Sequence, residues 1–448
     1  MTSLFWAFVL ACSLNAQIVE ESFFRDPGPL DFIRGEGLEQ FILQSLSGDS
    51  LVGIDPQGSV VPRLALRWEI QTGGLRLKLR IDARFPDGHP VAFEDVLWTF
   101  QEIQRDATAS PTKRAILDGL SLSEAKGWLE IRSTKSPHRI LLELARVPIA
   151  QKGHRAVGSG PFLLDRQGAD WRLKAREHFL KPTLPGLHFR LVGDDQAMLQ
   201  NLQKGWLTLG VPPSRPGLLP PPTHQRLVQR THAQVVVWSK VGTGPLQALE
   251  GWRGDAFPKD FFGDKAQPSR GLWPETLGFR PMAIQAPAPR SLKGKIFELL
   301  YPSGDELVQK ALLALRTRAR KEGVLLEPRP VDPALLFDRL QKGDFQLACA
   351  VVLFDPHPWA VLEYLETKGP MNFTGWHSPQ LQALLPKLQK PGRSEWDEVQ
   401  NLWAEAPAAL PLMDLQSVVW VDKRLQVTPS PMGLYFTTPG PAGWKWSR

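Results

Sequence analysis

Residues 295–354 read KIFELLYPSGDELVQKALLALRTRARKEGVLLEPRPVDPALLFDRLQKGDFQLACAVVLF, and this stretch decides the fold. Lys295 to Tyr301 is a short apolar run with strand character. Ser303 and Glu306 have the Ser-x-x-Glu spacing of a capping box, in which hydroxyl and carboxylate satisfy reciprocal backbone N–H groups. Leu307, Val308, Ala311, Leu312 and Leu315 follow at helical spacing. The basic residues Arg316, Arg318, Arg320 and Lys321 suit a helix C-terminus, and Gly323 stops the helix. Val324 to Glu327 reads as a second strand. Asp332 before Pro333 is an N-cap followed by proline at the first helical position, and Gly343 closes that helix. Phe345 to Phe354 is apolar enough for a strand buried on both faces. A strand–helix–strand–helix–strand order requires a parallel sheet with right-handed crossovers. In open sheets of this kind ligands lie beyond the carboxyl ends of the strands. Those ends release Tyr301-Pro302 and Phe354-Asp355-Pro356, which are expected to line a cleft.

A second α/β fragment precedes this one. Leu187 to Val192 is a strand, Asp194 or Asp195 caps a helix carrying Ala197, Leu199 and Leu202, Gly205 ends it, and Leu207 to Val211 is a further strand. Prolines at 212, 213, 216, 220, 221 and 222 make the next stretch a stiff loop or linker. Nearer the N-terminus Leu75, Leu77, Leu79 and Ile81 alternate with Arg76, Lys78 and Arg80, as in a strand with one wet face. The turn Pro86-Asp87-Gly88 and a helix from Phe93 to Gln104 follow. This section is antiparallel in character, so two α/β lobes and a smaller mixed lobe are expected. A chain of 448 residues has room for about three domains, and 42% hydrophobic residues supply the core. The net charge of +7 is too diffuse to point to nucleic acid.

No catalytic arrangement emerges. There is no Gly-x-Ser-x-Gly elbow, Walker loop or His-Glu-x-x-His, and no two of the nine histidines stand at i, i+4. Asp194-Asp195 reads as helix capping rather than a carboxylate pair. The two cysteines, Cys12 and Cys349, exclude a disulfide scaffold and a Cys-built zinc site, and Cys349 within an apolar strand is expected to be buried and inert. No metal or cofactor is expected. Leu4 to Leu10 followed by Ala11, Cys12 and Ser13 reads as a secretory signal over residues 1–16. Val9-Leu10-Ala11-Cys12 is similar to a lipobox, so Cys12 is expected either to be lipidated or to be removed by cleavage after Ala16.

The segment from Leu51 to Phe100 resembles the family 5 extracellular solute-binding proteins, the peptide- and nickel-binding receptors of ABC importers. The resemblance is carried by Leu51-Val52, Asp55, Gly58, Pro62, Leu64-Ala65, Trp68, Phe85, Asp87-Gly88 and Asp95-Val96. Leu30-Asp31, Gly158-Ser159-Gly160-Pro161-Phe162, Gln203 to Thr208, Asp355-Pro356 and Asn372 extend it across most of residues 25–425. Three departures stand out: Ala92 replaces the usual Thr cap, Thr208 replaces an Asp, and Val352 replaces the Asp that holds the α-ammonium in the family's peptide binders. An apolar residue cannot pair a buried ammonium. Either Asp355 takes that role or the ligand is not a zwitterionic peptide. The segment from Pro245 to Pro289 lacks the family's Val-Arg-x-Ala helix pattern, which predicts a shortened lobe.

The resemblance implies an α/β, type II periplasmic-binding-protein-like fold: two α/β lobes joined by a two-crossing hinge, plus a smaller mixed α+β lobe. Lobe I is expected over 17–46, 155–240 and 415–448, the accessory lobe over 47–154 and lobe II over 241–414. The crossings are expected near Trp238-Ser239 and Leu415-Gln416. The function implied is a periplasmic or envelope receptor, a monomer, that captures a peptide-like or other small solute in an interlobe cleft and delivers it to an ABC transporter permease. A sensor or interaction protein on the same fold and an envelope hydrolase are the alternatives. The expected ligand-binding residues are Trp238, Phe354, Asp355, Asn372 and Trp376. Asp355 would hold a ligand cation or amide, Asn372 would exchange hydrogen bonds with a peptide-like backbone, and the indoles would form apolar walls.

Overall fold

Strand propensity and helix caps place the elements of residues 295–354 almost where their pattern puts them, and the long strands on either side tie them into one sheet. The computed structural model describes residues 18–212, 218–258, 261–284, 292–354, 357–367, 369, 371–389, 393–407 and 409–447. The expected signal segment with Cys12, the Asp355-Pro356 pair and part of the proline-rich stretch lie outside the described residues. The chain forms two compact units. The first is built from the described residues up to 212, 218–227 and 418–447, and the second from those of 228–417.

The second unit is assembled from strands β1 (His224–Ser239), β2 (Ala266–Pro268), β3 (Ile296–Pro302), β4 (Leu325–Val331), β5 (Leu347–Leu353) and β6 (Ala409–Asp422). Its helices include α1 (Thr243–Ala256), α2 (Glu306–Lys321) and α3 (Pro333–Lys342). β3 runs parallel to β4 and to β5, as the two crossovers require. β1 lies antiparallel on the other side of β5, pairing Ala233 with Leu353 and Ser239 with Leu347, and β6 follows β1. Leu299, Tyr301, Val308, Leu312, Leu315, Leu347 and Cys349 share one buried apolar cluster with Val235, Leu246 and Leu249.

Details differ from the sequence pattern. The N-cap of α2 is Asp305, whose side chain accepts from the Val308 N–H at 3.0 Å, so the Ser303–Glu306 box does not form. β4 runs on to Val331, beyond the expected Glu327. β5 is not buried on both faces throughout: Val351 and Leu353 are 43% and 40% exposed, because β3 pairs only with its first two residues. A helix, α1, does occupy the segment expected to be shortened, with Leu246, Leu249 and Trp252 on its buried side. The chain passes between the units at 227–228 and 417–418, inside β1 and β6. The first of these is eleven residues before the expected Trp238-Ser239, since Trp238 pairs with Ala348 and so belongs to the second unit's sheet.

The first unit has two apolar cores. One gathers Leu75, Leu77, Phe85, Val96, Phe100 and Ile131 around the antiparallel strands Ala65–Gln71, Gly74–Leu79, Trp128–Arg132 and Ser121–Ala125. The other gathers Val19, Phe32, Phe162, Phe189 and Trp444, and Val19–Phe23 there runs parallel to Gly186–Leu191. Asp194 caps the helix that starts at Asp195, accepting from the Ala197 N–H at 2.7 Å. At the helix Phe93–Arg105, Ala92 offers no side-chain oxygen. Asp95 compensates by accepting from the Ala92 and Lys152 N–H groups, each at 2.9 Å.

One buried carboxylate holds this unit's segments together. Asp49, fully buried, takes Arg63 at 2.6 Å on one oxygen, and Ser159 and His178 at 2.9 Å each on the other. The Nδ1 of His178 accepts from the Leu180 N–H, so its Nε2 carries the proton donated to Asp49. Gly158 and Gly160 flank Ser159 because a Cβ at either would run into the Ser47–Gly48 backbone. Burial works against ionisation of Asp49, but Arg63, His178 and Ser159 outweigh it and hold its pKa below the usual carboxylate range. A depressed pKa gives stability that is present above the unfolded-state value and lost as pH falls through the folded-state value. Asp49→Ala, which strands Arg63, is expected to cost about 3 kcal/mol in denaturant unfolding at pH 7. The wild type's advantage over the variant should shrink as pH falls below about 4.

Candidate functional site

The residues that the sequence nominates are spread along β5 and the loop beyond it: Phe354 follows its carboxyl end, whereas Trp238 of β1 stands opposite Ala348 near its amino end. Trp238 on β1 is almost fully buried, and its ring meets Phe373 edge-on at 5.2 Å, with Phe337 of α3 on the far side of Phe373 at 5.8 Å. Its indole N–H has no hydrogen-bond partner. Phe354, at 0% exposure, follows β5 and donates its backbone N–H to the His232 carbonyl at 2.9 Å. Tyr301 at the end of β3 is likewise a core residue rather than an exposed wall, and burial pushes its phenol up. Asp355 lies outside the described residues.

Asn372 makes its hydrogen bonds within its own loop. Its Nδ2 donates to the Glu366 and Trp376 carbonyls at 2.9 and 2.7 Å. Its Oδ1 accepts from the Trp376 N–H at 2.9 Å and the Thr374 hydroxyl at 3.3 Å. The half-buried Trp376 is pinned in turn by its indole N–H, 2.7 Å from the Ala406 carbonyl. Asn372 and Trp376 therefore act as one clamp, with Phe373 carrying the clamp onto Trp238.

The structure adds a buried polar set that sequence reasoning missed. Gln234 of β1 is fully buried. Its Nε2 donates to Asp414 at 2.8 Å and to the Ser269 hydroxyl at 3.0 Å, while its Oε1 has no partner. Asp414 also accepts from the Glu275 N–H at 3.2 Å, and burial raises its carboxyl. His232 is pushed down to about 4 by burial. It lies 2.6 Å from the Thr276 hydroxyl, which donates to the Thr231 carbonyl and so accepts from His232. The available signal was a single polar residue inside each of the runs AQVVVW and LPLMDL. Across the ladder Gln234 stands opposite Val352, so a neutral amide accompanies the apolar residue at this place. Among the described residues no group of three or more His, Cys, Asp or Glu could hold a metal ion.

Residues 59–221 match the bacterial extracellular solute-binding proteins, family 5 Middle. A curated relative, the probable deoxycholate-binding periplasmic protein YgiS of Escherichia coli (strain K12), is 35% identical over 106 residues, which cover 22% of this chain. The match spans about a fifth (19%) of that relative's length. Solved structures resemble the whole chain. The oligopeptide-binding protein AppA of Bacillus subtilis, in complex with a nonapeptide, has a TM-score of 0.78 at 13% identity, covering 96% of this chain and 99% of its own. AgaA from A. tumefaciens R10, in complex with agropinic acid, has 0.80 at 17% identity with the same coverage. The murein tripeptide binding protein MppA of Escherichia coli has 0.79 at 17%, again with 96% and 99% covered. These likenesses show the fold: the mixed α/β architecture of the periplasmic solute-binding proteins.

Replacing Asn372 by Ala removes a donor from the Glu366 and Trp376 carbonyls and the nearer acceptor of the Trp376 N–H, which keeps only the Thr374 hydroxyl at 3.3 Å. Hydrogen exchange should then show the Trp376 amide losing protection by about tenfold or more, the order expected for a lost buried hydrogen bond. Amides of the distant helix Phe93–Arg105 should be unaffected.

Proposed function

We propose that this chain is an extracytoplasmic solute receptor of an ABC importer. It captures a small solute at the carboxyl edge of the second unit's parallel sheet and delivers it to a membrane permease. The observation that carries this reading is the family 5 match over residues 59–221 together with a fold common to binding proteins over 96% of the chain. Fold alone would not name a function; the family match within the same chain is what narrows it. In keeping with that role the chain is exported, anchored through Cys12 or cleaved after Ala16, and works as a monomer.

The solute differs from a zwitterionic peptide held by its ammonium through a carboxylate at 352. Val352 is buried, its cross-strand neighbour is the neutral Gln234, and the strand presents Val351 and Leu353 as exposed apolar side chains. An amphipathic solute with an apolar body fits this edge better than a peptide N-terminus, and Asp355 is the acidic residue nearest in sequence to hold a polar end. The deoxycholate in the name of the Escherichia coli relative is a probe of that class.

Isothermal titration calorimetry with deoxycholate below its micellar concentration and with a pool of tri- to pentapeptides separates the two ligand classes. Saturable one-to-one binding of the amphipathic probe, and none of the peptides, is the expected result. Peptide binding that disappears in Asp355→Asn would move the ammonium site to Asp355 and overturn the ligand class while keeping the receptor. Failure to bind any small solute would overturn the receptor itself.

A further inference from the structure

The second unit has an open cavity of about 410 Å³ between α1 and the β2 segment, lined by Glu250, Arg253, Gln267 and Ser269 with bare backbone at Gly251 and Gly254. That volume falls within the range of about 300–1,000 Å³ usual for small-molecule pockets. The two glycines stand three apart inside a 14-residue helix, where each costs about 1 kcal/mol relative to alanine. Nothing lies within 4 Å of where their Cβ atoms would be. Packing therefore does not require glycine at either place, and what the glycines leave is space.

The chemistry of the cavity is one-sided. Glu250 accepts from Arg253 at 2.9 Å through one oxygen, while its other oxygen is buried and has no partner. Arg253 is committed to Glu250 and to the Pro411 carbonyl at 3.0 Å. Behind Ser269 stand Gln234, whose Oε1 is also unpartnered, and the buried Asp414. Both open groups are acceptors. Two carboxyls, Glu250 and Asp414, share the single buried cation Arg253; Arg270 at the rim is exposed, and its charge is screened by water. Burial raises both carboxyls and lowers Arg253, the pattern of a set short of positive charge and of hydrogen-bond donors. An unpaired buried acceptor is costly until a donor arrives.

We propose that this cavity is a second binding site, one that takes the N–H-bearing cationic group of a small organic solute, a primary ammonium or a guanidinium, on the free oxygen of Glu250. The glycine backbones of α1 make room for the attached carbon chain. A charge without N–H groups would gain the coulombic attraction but not the hydrogen bond.

The test is calorimetric titration of the full chain with n-butylammonium, methylguanidinium and tetramethylammonium chlorides at low salt. The expected result is saturable binding of at least one of the first two, with tetramethylammonium at least about tenfold weaker. Glu250→Gln, which keeps the shape and removes the charge, should weaken binding by a similar factor. Gly251→Leu fills the open space and favours the helix, so it should abolish binding while the chain stays folded by circular dichroism. Asp355→Asn should leave this binding unchanged, which separates this site from the one proposed at the sheet edge. No saturable binding by the wild type, equal binding of tetramethylammonium, or undiminished binding by Glu250→Gln and a folded Gly251→Leu would overturn the proposal.

Discussion

The parallel register of β3 between β4 and β5 is the constraint from which the second unit follows. A parallel neighbour cannot be reached by a hairpin, so α2 and α3 must return over the sheet, and α2 covers the face formed by Leu299, Tyr301, Leu347 and Cys349. The crossovers also send all three carboxyl ends to one edge. Because β3 pairs with only the first two residues of β5, the rest of β5 leans on β1 alone and shows Val351 and Leu353 to solvent. An apolar strand end with an exposed row is thus a product of register, and it is the feature on which the ligand class rests.

The polar groups of the second unit answer to the same geometry. β1 and β6 are long and mostly buried, so a polar side chain within them has to find a partner inside the protein. Gln234, Asp414 and Ser269 find one another, and the chain from Ser269 to Glu275 closes over them. Two acceptors, Gln234 Oε1 and Glu250 Oε2, stay open beside or just behind a cavity. In the first unit Asp49 has partners on both oxygens: it binds Arg63, Ser159 and His178 at once, which joins the Gly-Ser-Gly-Pro motif to a segment 110 residues earlier in the chain. The Gly-Ser-Gly-Pro motif is therefore a packing device, two glycines for close approach and a serine for a buried carboxylate.

Local pattern and long-range contact divide what could be read in advance. The strands and helices of 295–354 were legible because apolar spacing, Gly323, Gly343 and Asp332-Pro333 are local signals, and so was the cap at Asp194. The cap at Asp305 was obscured by Ser303, which offers an equally good side chain two residues too early. The crossing at 227–228 was placed too late because Trp238 ends an apolar run that looks like a boundary, whereas its pairing with Ala348 draws it into the sheet. Asn372 and Trp376 were legible as residues with work to do, yet the bonds of Asn372 close on its own loop and the Trp376 indole is taken by the Ala406 carbonyl. Glu250, Arg253, Ser269 and Asp414 come together only through the fold, from segments as far as 164 residues apart in the sequence, and no local signal announces that.

Native mass spectrometry of the chain purified from an exporting host under gentle conditions tests the central claim most directly. The account predicts a population heavier than the polypeptide by one small molecule, released on mild activation and identifiable as an amphipathic solute. A single mass equal to the bare chain, unchanged after incubation with envelope small-molecule extracts, would contradict it.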